Sequence, residues 1–148
     1  MRNMDRYILE EIYRVDGYER TARIREVEIG NKRTVCFLQY DEYLEDNEES
    51  KKKKAVDSLK GDVFIEYVLS GTKVDGQLMH RQGRDKSPSI EAIVDVAEVK
   101  DRYSVYAFST IIRDKILIEF ETPMNYKKGD RIYIEGELKF EEFDEGAC

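Results

Sequence analysis

In the second half of the chain, apolar residues recur at every second position. Ile90, Ala92, Val94 and Val96 keep one phase, Ile116, Ile118 and Phe120 keep another, and Ile132, Ile134, Leu138 and Phe140 keep a third. A period of two marks strands with one face in a core. Residues Tyr103 to Ile112 supply one more strand between them. The polar breaks Asp101-Arg102 and Arg113-Asp114 fit tight hairpins. Thr122-Pro123-Met124-Asn125 with Lys128-Gly129-Asp130 fits a longer link to the last strand. Residues 89 to 141 thus predict a four-stranded meander.

The first half is less regular. Met4, Ile8, Ile12 and Val15, with Leu9 beside them, lie at helical intervals, and Asn3 or Asp5 can cap a first turn. A short N-terminal helix over 4 to 15 is expected, ended by Gly17. Ala22 and Ile24 then keep one phase and Val27 and Ile29 the opposite one, which predicts a bulge at Arg25-Glu26. Gly30-Asn31 predicts a hairpin turn joining residues 20 to 29 with 33 to 40. From 41 to 60, acids precede Lys51-Lys52-Lys53-Lys54 before Ala55, Val56 and Leu59, as in a charged helical insertion. Gly61-Asp62 opens the run Val63 to Leu69, apolar on both faces except at Glu66, as a doubly covered strand requires. The stretch from Ser70 to Ser89, with Gly71, Gly76, Gly83, Pro88 and the group His80, Arg81, Arg84 and Lys86, reads as a functional loop or a connection.

Charge narrows the classes of partner. Of 148 residues, 39% are charged and 41% hydrophobic, with 16 aromatics, so the chain folds rather than staying disordered. The net charge is −7, divided as −1 up to Arg84 and −6 beyond it. That balance argues against a nonspecific coat of nucleic acid and leaves room for a local basic groove. No stretch is apolar for the roughly 18 residues a membrane span needs, and Met1 to Arg6 lacks a signal peptide's apolar core, so a cytoplasmic protein is expected. Cys36 sits in the apolar run Thr34-Val35-Cys36-Phe37-Leu38 and Cys148 is terminal, which predicts a core thiol and no structural disulfide.

One domain over 1 to 148 is the simplest organisation. The alternative is a division near 71 to 88 that leaves a barrel-like half at 89 to 143. Two recurrences bear on it. Lys60-Gly61-Asp62 is echoed by Lys128-Gly129-Asp130, and Thr34 to Leu38 lines up with Ser104 to Phe108 at an offset of 70. Duplication and chance recurrence of a turn followed by a strand both explain them.

The segment Tyr126-Lys127-Lys128-Gly129-Asp130-Arg131-Ile132-Tyr133-Ile134-Glu135-Gly136-Glu137-Leu138-Lys139 resembles the closing strands of OB-fold domains. Its lysine-glycine-aspartate, strand, glutamate-glycine, strand order is similar to the ending of bacterial single-stranded-DNA-binding proteins. It spans about a tenth of the chain. The fold class expected is therefore mainly β, an OB-like antiparallel β-barrel with a short N-terminal helix and a charged helical insertion near 41 to 60. The resemblance implies that ligands lie across the second and third strands and the adjoining loops. Lys100, Arg102, Tyr106, Phe108, Arg113 and Lys115 would form such a nucleic-acid site, with bases stacked on Tyr106 and Phe108. Alternation places Val105 and Ala107 on one strand face and Tyr106 and Phe108 on the other, and aromatics at strand spacing are first of all core residues. The chain departs from the DNA-binding family in having no tryptophan and no glycine-rich tail, and in following its last strand with Glu141-Glu142-Phe143-Asp144-Glu145.

Catalytic arrangements are missing from the sequence pattern. The nine glycines include no phosphate-cradling spacing, the sole histidine, His80, has no assignable partner, and one histidine with two distant cysteines gives no zinc spacing. A pair such as Glu119 with Glu135 is uninformative among so many acids. The expected function is a noncatalytic binding module without cofactor or metal. A protein partner is favoured, as for an acidic inhibitor, immunity-type or assembly protein, with Glu135, Glu137, Glu141 and Glu142 at the contact. The alternatives are single-stranded nucleic-acid binding and a structural subunit pairing through strand edges.

Overall fold

The segment expected as an N-terminal helix is a strand. A computed structural model describes residues 5–27, 30–38, 43–54, 58–83 and 86–142, and its first element is β1, Asp5–Asp16. Met4 and Asn3 lie outside the described residues. Antiparallel to β1 runs β2, Glu19–Glu26, and their ladder slips between Leu9 and Glu11 and again between Ile12 and Arg14. Each slip is a bulge that inserts one residue. The buried side chains Tyr7, Leu9, Ile12 and Val15 consequently fall at intervals of two, three and three. Two bulges stretch a strand period until it imitates a helix.

The strand β3, Lys32–Leu38, pairs antiparallel with β2 as expected, and Gly30, at φ 81°, donates its N–H to the Glu26 carbonyl at 2.7 Å in the turn between them. The bulge expected at Arg25-Glu26 is absent. Glu26 occupies the inward phase, β2 ends there, and Val27 is exposed in the turn. Ile29 lies outside the described residues. Among the described residues of 41 to 60, Glu48–Lys54 form a short helix, α1. Asn47 caps it by accepting the Ser50 N–H at 2.9 Å, and Lys51 lies 3.2 Å from Asp46. Residues 41–42 and 55–57 of that stretch are outside the described set, and 58–60 belong to β4, Ser58–Val68. Lys60-Gly61-Asp62 therefore sits within a strand instead of before one.

Two short strands follow, β5 at Thr72–Lys73 and β6 at Met79–Arg81, then β7 at Ser89–Asp101, β8 at Ser104–Phe108, β9 at Ile116–Phe120 and β10 at Arg131–Glu142. The alternating apolar residues of the meander are buried as expected. The strand expected to reach Ile112 stops at Phe108. Ile111 and Ile112 are buried in the connection, so Arg113-Asp114 is part of a longer loop and not a tight hairpin.

These elements form two compact units. The first takes its described residues from 5–62, 86–88 and 139–142, the second from 63–83 and 89–138, and β4 and β10 each give one end to each unit. Within the first, β1, β2 and β3 form a meander. β3 pairs parallel with β10 at Cys36 and Lys139, and β1 pairs antiparallel with β4 from Asp5 and Gly61 to Ile8 and Ser58. β4 and β10 also pair, which closes the circuit of five strands. Gly61 lies at that closure: a Cβ there would collide with the Glu141 carbonyl oxygen and the Phe140 ring.

Within the second unit, β7, β8 and β9 form the meander, β9 pairs parallel with β4 at Leu117 and Phe64, and β10 pairs antiparallel with β7. The circuit closes in the same order. Gly136 occupies the position of Gly61, since a Cβ on it would come 2.7 Å from the Glu66 carbonyl oxygen and 2.8 Å from Val68 Cγ2. Matching the two closures aligns Leu59-Lys60-Gly61-Asp62-Val63-Phe64-Ile65-Glu66 with Ile134-Glu135-Gly136-Glu137-Leu138-Lys139-Phe140-Glu141, an offset of 75. The offsets near 70 pair unlike places instead: Thr34 to Leu38 lies in β3, the third strand of its meander, and Ser104 to Phe108 in β8, the second.

Candidate functional site

An open groove of 860 Å³ crosses the outer face of β7 and β10 in the second unit. It is within the size of specific ligand sites, roughly 300–1,000 Å³. Strand alternation builds the floor. Ile132, Ile134 and Leu138 point into the core, so Tyr133, Glu135 and Glu137 point out, and Glu91 projects from β7 directly opposite Glu135. Tyr67 and Leu69 stand at one wall and Arg81 at the other.

Tyr67 reaches the groove through a bulge. The β4–β9 register shifts between Ile65 and Val68, and Tyr67 adopts φ 62°, a left-handed conformation that costs a bulky residue about 1–3 kcal/mol. Its neighbour Val68 stays buried while Tyr67 is 53% and Leu69 71% exposed. Two large apolar surfaces are thereby held in water beside a polar floor.

The floor holds like charges side by side. Two carboxylates directly opposite one another on paired strands repel. Here the Tyr133 hydroxyl stands between them, 2.7 Å from Glu91 Oε2 and 2.6 Å from Glu135 Oε1, and Arg81 donates to Glu91. A phenol has one hydrogen to give, so the two acceptors share a single donor. The hydrogen bond from Tyr133, followed by Arg81, holds the Glu91 carboxyl below its usual range against the opposing effect of burial. The same two carboxylates hold the Tyr133 phenol well above its usual range, Glu135 contributing most. Further along the same strand pair, Arg131 and Asp95 form a two-pronged ion pair at 2.7 and 2.8 Å, which lowers the Asp95 pKa. That pair is satisfied; the Glu135 and Glu137 carboxylates have no basic side chain on them among the described residues.

Of the four acids expected at a partner contact, Glu135 and Glu137 line this groove, while Glu141 and Glu142 are exposed on the part of β10 that belongs to the first unit. The residues of the nucleic-acid alternative all fall in the second unit. Lys100, Arg102, Arg113 and Lys115 are exposed, Tyr106 is half-buried and Phe108 is 49% exposed. The reading of Tyr106 and Phe108 as core residues is thus corrected: Val105 and Ala107, both fully buried, are the core face of β8. None of these six lines the groove.

Arg81 belongs to the basic group noted between Ser70 and Ser89, but Tyr67, Leu69, Glu91 and Tyr133 were not singled out by sequence pattern. The outward phase of β7 and β10 is a signal that gives Glu91 and Tyr133; nothing in the sequence announces the bulge that turns Tyr67 outward. His80 lies outside the lining and its Nδ1 is 2.6 Å from Thr110 Oγ1. Cys36 is buried in the first unit, where burial pushes its thiol up to about 11. No three Asp, Glu, His or Cys among the described residues converge as metal ligands, which fits acids strung along a strand. Also among the described residues, no helix is long and apolar enough to cross a membrane. Comparison with protein-family models, with curated proteins and with solved structures gives no match.

Proposed function

We propose that this chain is a noncatalytic cytoplasmic binding module of two OB-like units that engages a protein partner carrying basic side chains. The observation that carries the reading is the groove floor, where Glu135 and Glu137 point outward with no cation on them among the described residues, beside exposed Tyr67 and Leu69. A field of this sign speeds encounter with basic surfaces and repels phosphate backbones. The five-stranded circuit, a meander joined to two returning strands, supports the OB-like assignment of each unit. Function is argued from the groove and not from that architecture.

Exposed Phe108, with Arg113 and Lys115 in the connection after it and Lys100 and Arg102 at the other end of β8, favours a second reading, single-stranded nucleic-acid binding on the β8 face. Affinity capture from a native lysate, with and without nuclease, separates the two. Proteins retained after nuclease treatment and released by the combined Glu135→Gln, Glu137→Gln, Glu141→Gln and Glu142→Gln variant support the first. Capture that disappears with nuclease overturns it in favour of the second. A labelled oligonucleotide titrated at low and high salt separates them independently, since an affinity that falls steeply with salt favours the second.

A further inference from the structure

We propose that the groove of the second unit takes an extended peptide segment with basic side chains at every second position, laid along β10. The inference rests on the module reading above and adds the form and spacing of the ligand. Tyr133, Glu135 and Glu137 place one acceptor on the floor every second residue of β10. In a strand that spacing is about 6.8 Å. An extended segment lying along it repeats its own side chains at the same interval, so consecutive outward arginines meet Glu135 and Glu137 in register.

Three features of the site select this ligand over a compact cation or an acidic one. No three acids among the described residues converge on one point, which disfavours a metal ion. The cross-strand Glu91 and Glu135 share one hydroxyl hydrogen, and a guanidinium arriving at Glu135 supplies the donors that Tyr133 cannot give to both. Tyr67 and Leu69, held outward at the wall, offer apolar surface for the intervening side chains and an aromatic face for an arginine. Arg81 already pairs with Glu91, which lies across the strand pair from Glu135, and so is an internal cation beside the row.

The experiment is a fluorescence-anisotropy titration with two labelled seven-residue peptides of identical composition. In one, arginine and valine alternate; in the other, the arginines are consecutive. The alternating peptide is expected to bind roughly tenfold more tightly, a difference of about 1.4 kcal/mol. The Glu135→Gln, Glu137→Gln double variant should erase that difference, and Glu98→Gln, an exposed acid of β7 outside the groove, should leave it. Arg81→Gln, which removes the internal cation, should tighten binding by roughly threefold, the scale of one exposed charge pair. Melting curves confirm that each variant is folded. Equal affinity for both peptides, or an equal loss from Glu98→Gln, reduces the effect to net charge and overturns the proposal. Silence of both peptides at low salt also overturns it, while a nuclease-resistant, glutamate-dependent capture from lysate still upholds the module reading.

Discussion

In the first unit, β2 and β3 carry Arg20, Glu26 and Arg33 inward, none more than 5% exposed, and Arg20 Nη1 donates to the Gly17 carbonyl at 2.7 Å. In the second unit the equivalent meander hides no charge, and Ser104 is its one buried polar side chain among the described residues. Yet both units close their five strands in the same order, each with a glycine where β4 and β10 meet. The shared order follows from apolar alternation and a close backbone approach. What each unit does with its charges is free to differ. The first sets them inside and in a surface cluster where Arg25, Arg23 and Lys32 lie 3.2 to 3.7 Å from Glu10; the second leaves acids along a groove.

The closure glycines give the largest test of that equivalence. Gly61→Val and Gly136→Val should each destabilise by about 1–3 kcal/mol or more, because the added side chain meets a carbonyl oxygen and packed side chains. Gly61→Val should be the worse, its approach being the closer. Urea midpoints measure both, and a tolerated valine at either site breaks the comparison. Phe140→Ala should have an effect at least as large. It removes a ring packed edge-on at 5.4 Å from Tyr7 and 6.1 Å from Phe37 in the first unit, and should cost about 3–5 kcal/mol by the same measurement.

Smaller effects sharpen the contrast between the units. Cys36, buried and with its pKa pushed up to about 11, should resist alkylation in the folded protein at pH 8 and react on unfolding. Rapid labelling of Cys36 in folded protein would contradict its burial. In the second unit, Glu135→Gln should slightly raise the melting temperature by removing a like-charge pair from the groove floor, while weakening ligand capture. A stability loss there would show the pair to be structural. Acid has the mildest influence. The pKa values of Glu91 and Asp95 lie below their ordinary 4.5 and 3.8, held mainly by Tyr133 and Arg131. Their stabilisation is full above those ordinary values and is lost as the pH falls through the lower folded ones. Arg131→Gln should flatten the acid limb of a pH–stability profile.

Much of the second unit was legible in the sequence because the buried residues of β7, β9 and β10 keep a period of two. The first unit was less so. The bulges beside Leu9 and Ile12 turned strand spacing into helical spacing, and buried Glu26 broke a hydrophobic count that assumes charged residues lie outside. The structural equivalence of Gly61 and Gly136 was hidden because the like turns near an offset of 70 drew the alignment elsewhere. Half of the groove floor was readable, since Glu135 and Glu137 follow from β10's phase. Its wall was not: Tyr67 faces outward only because β4 bulges against β9, a property of pairing that no local pattern carries.

The most direct measurement is a map of backbone amide shifts on adding the alternating arginine–valine peptide to isotopically labelled protein. Perturbations concentrated at residues 67–72, 81–83, 89–91 and 133–137 are the expected result. Perturbations centred instead on 100–115, the side of Lys100, Tyr106, Phe108 and Arg113, would contradict the groove and move the binding face to β8.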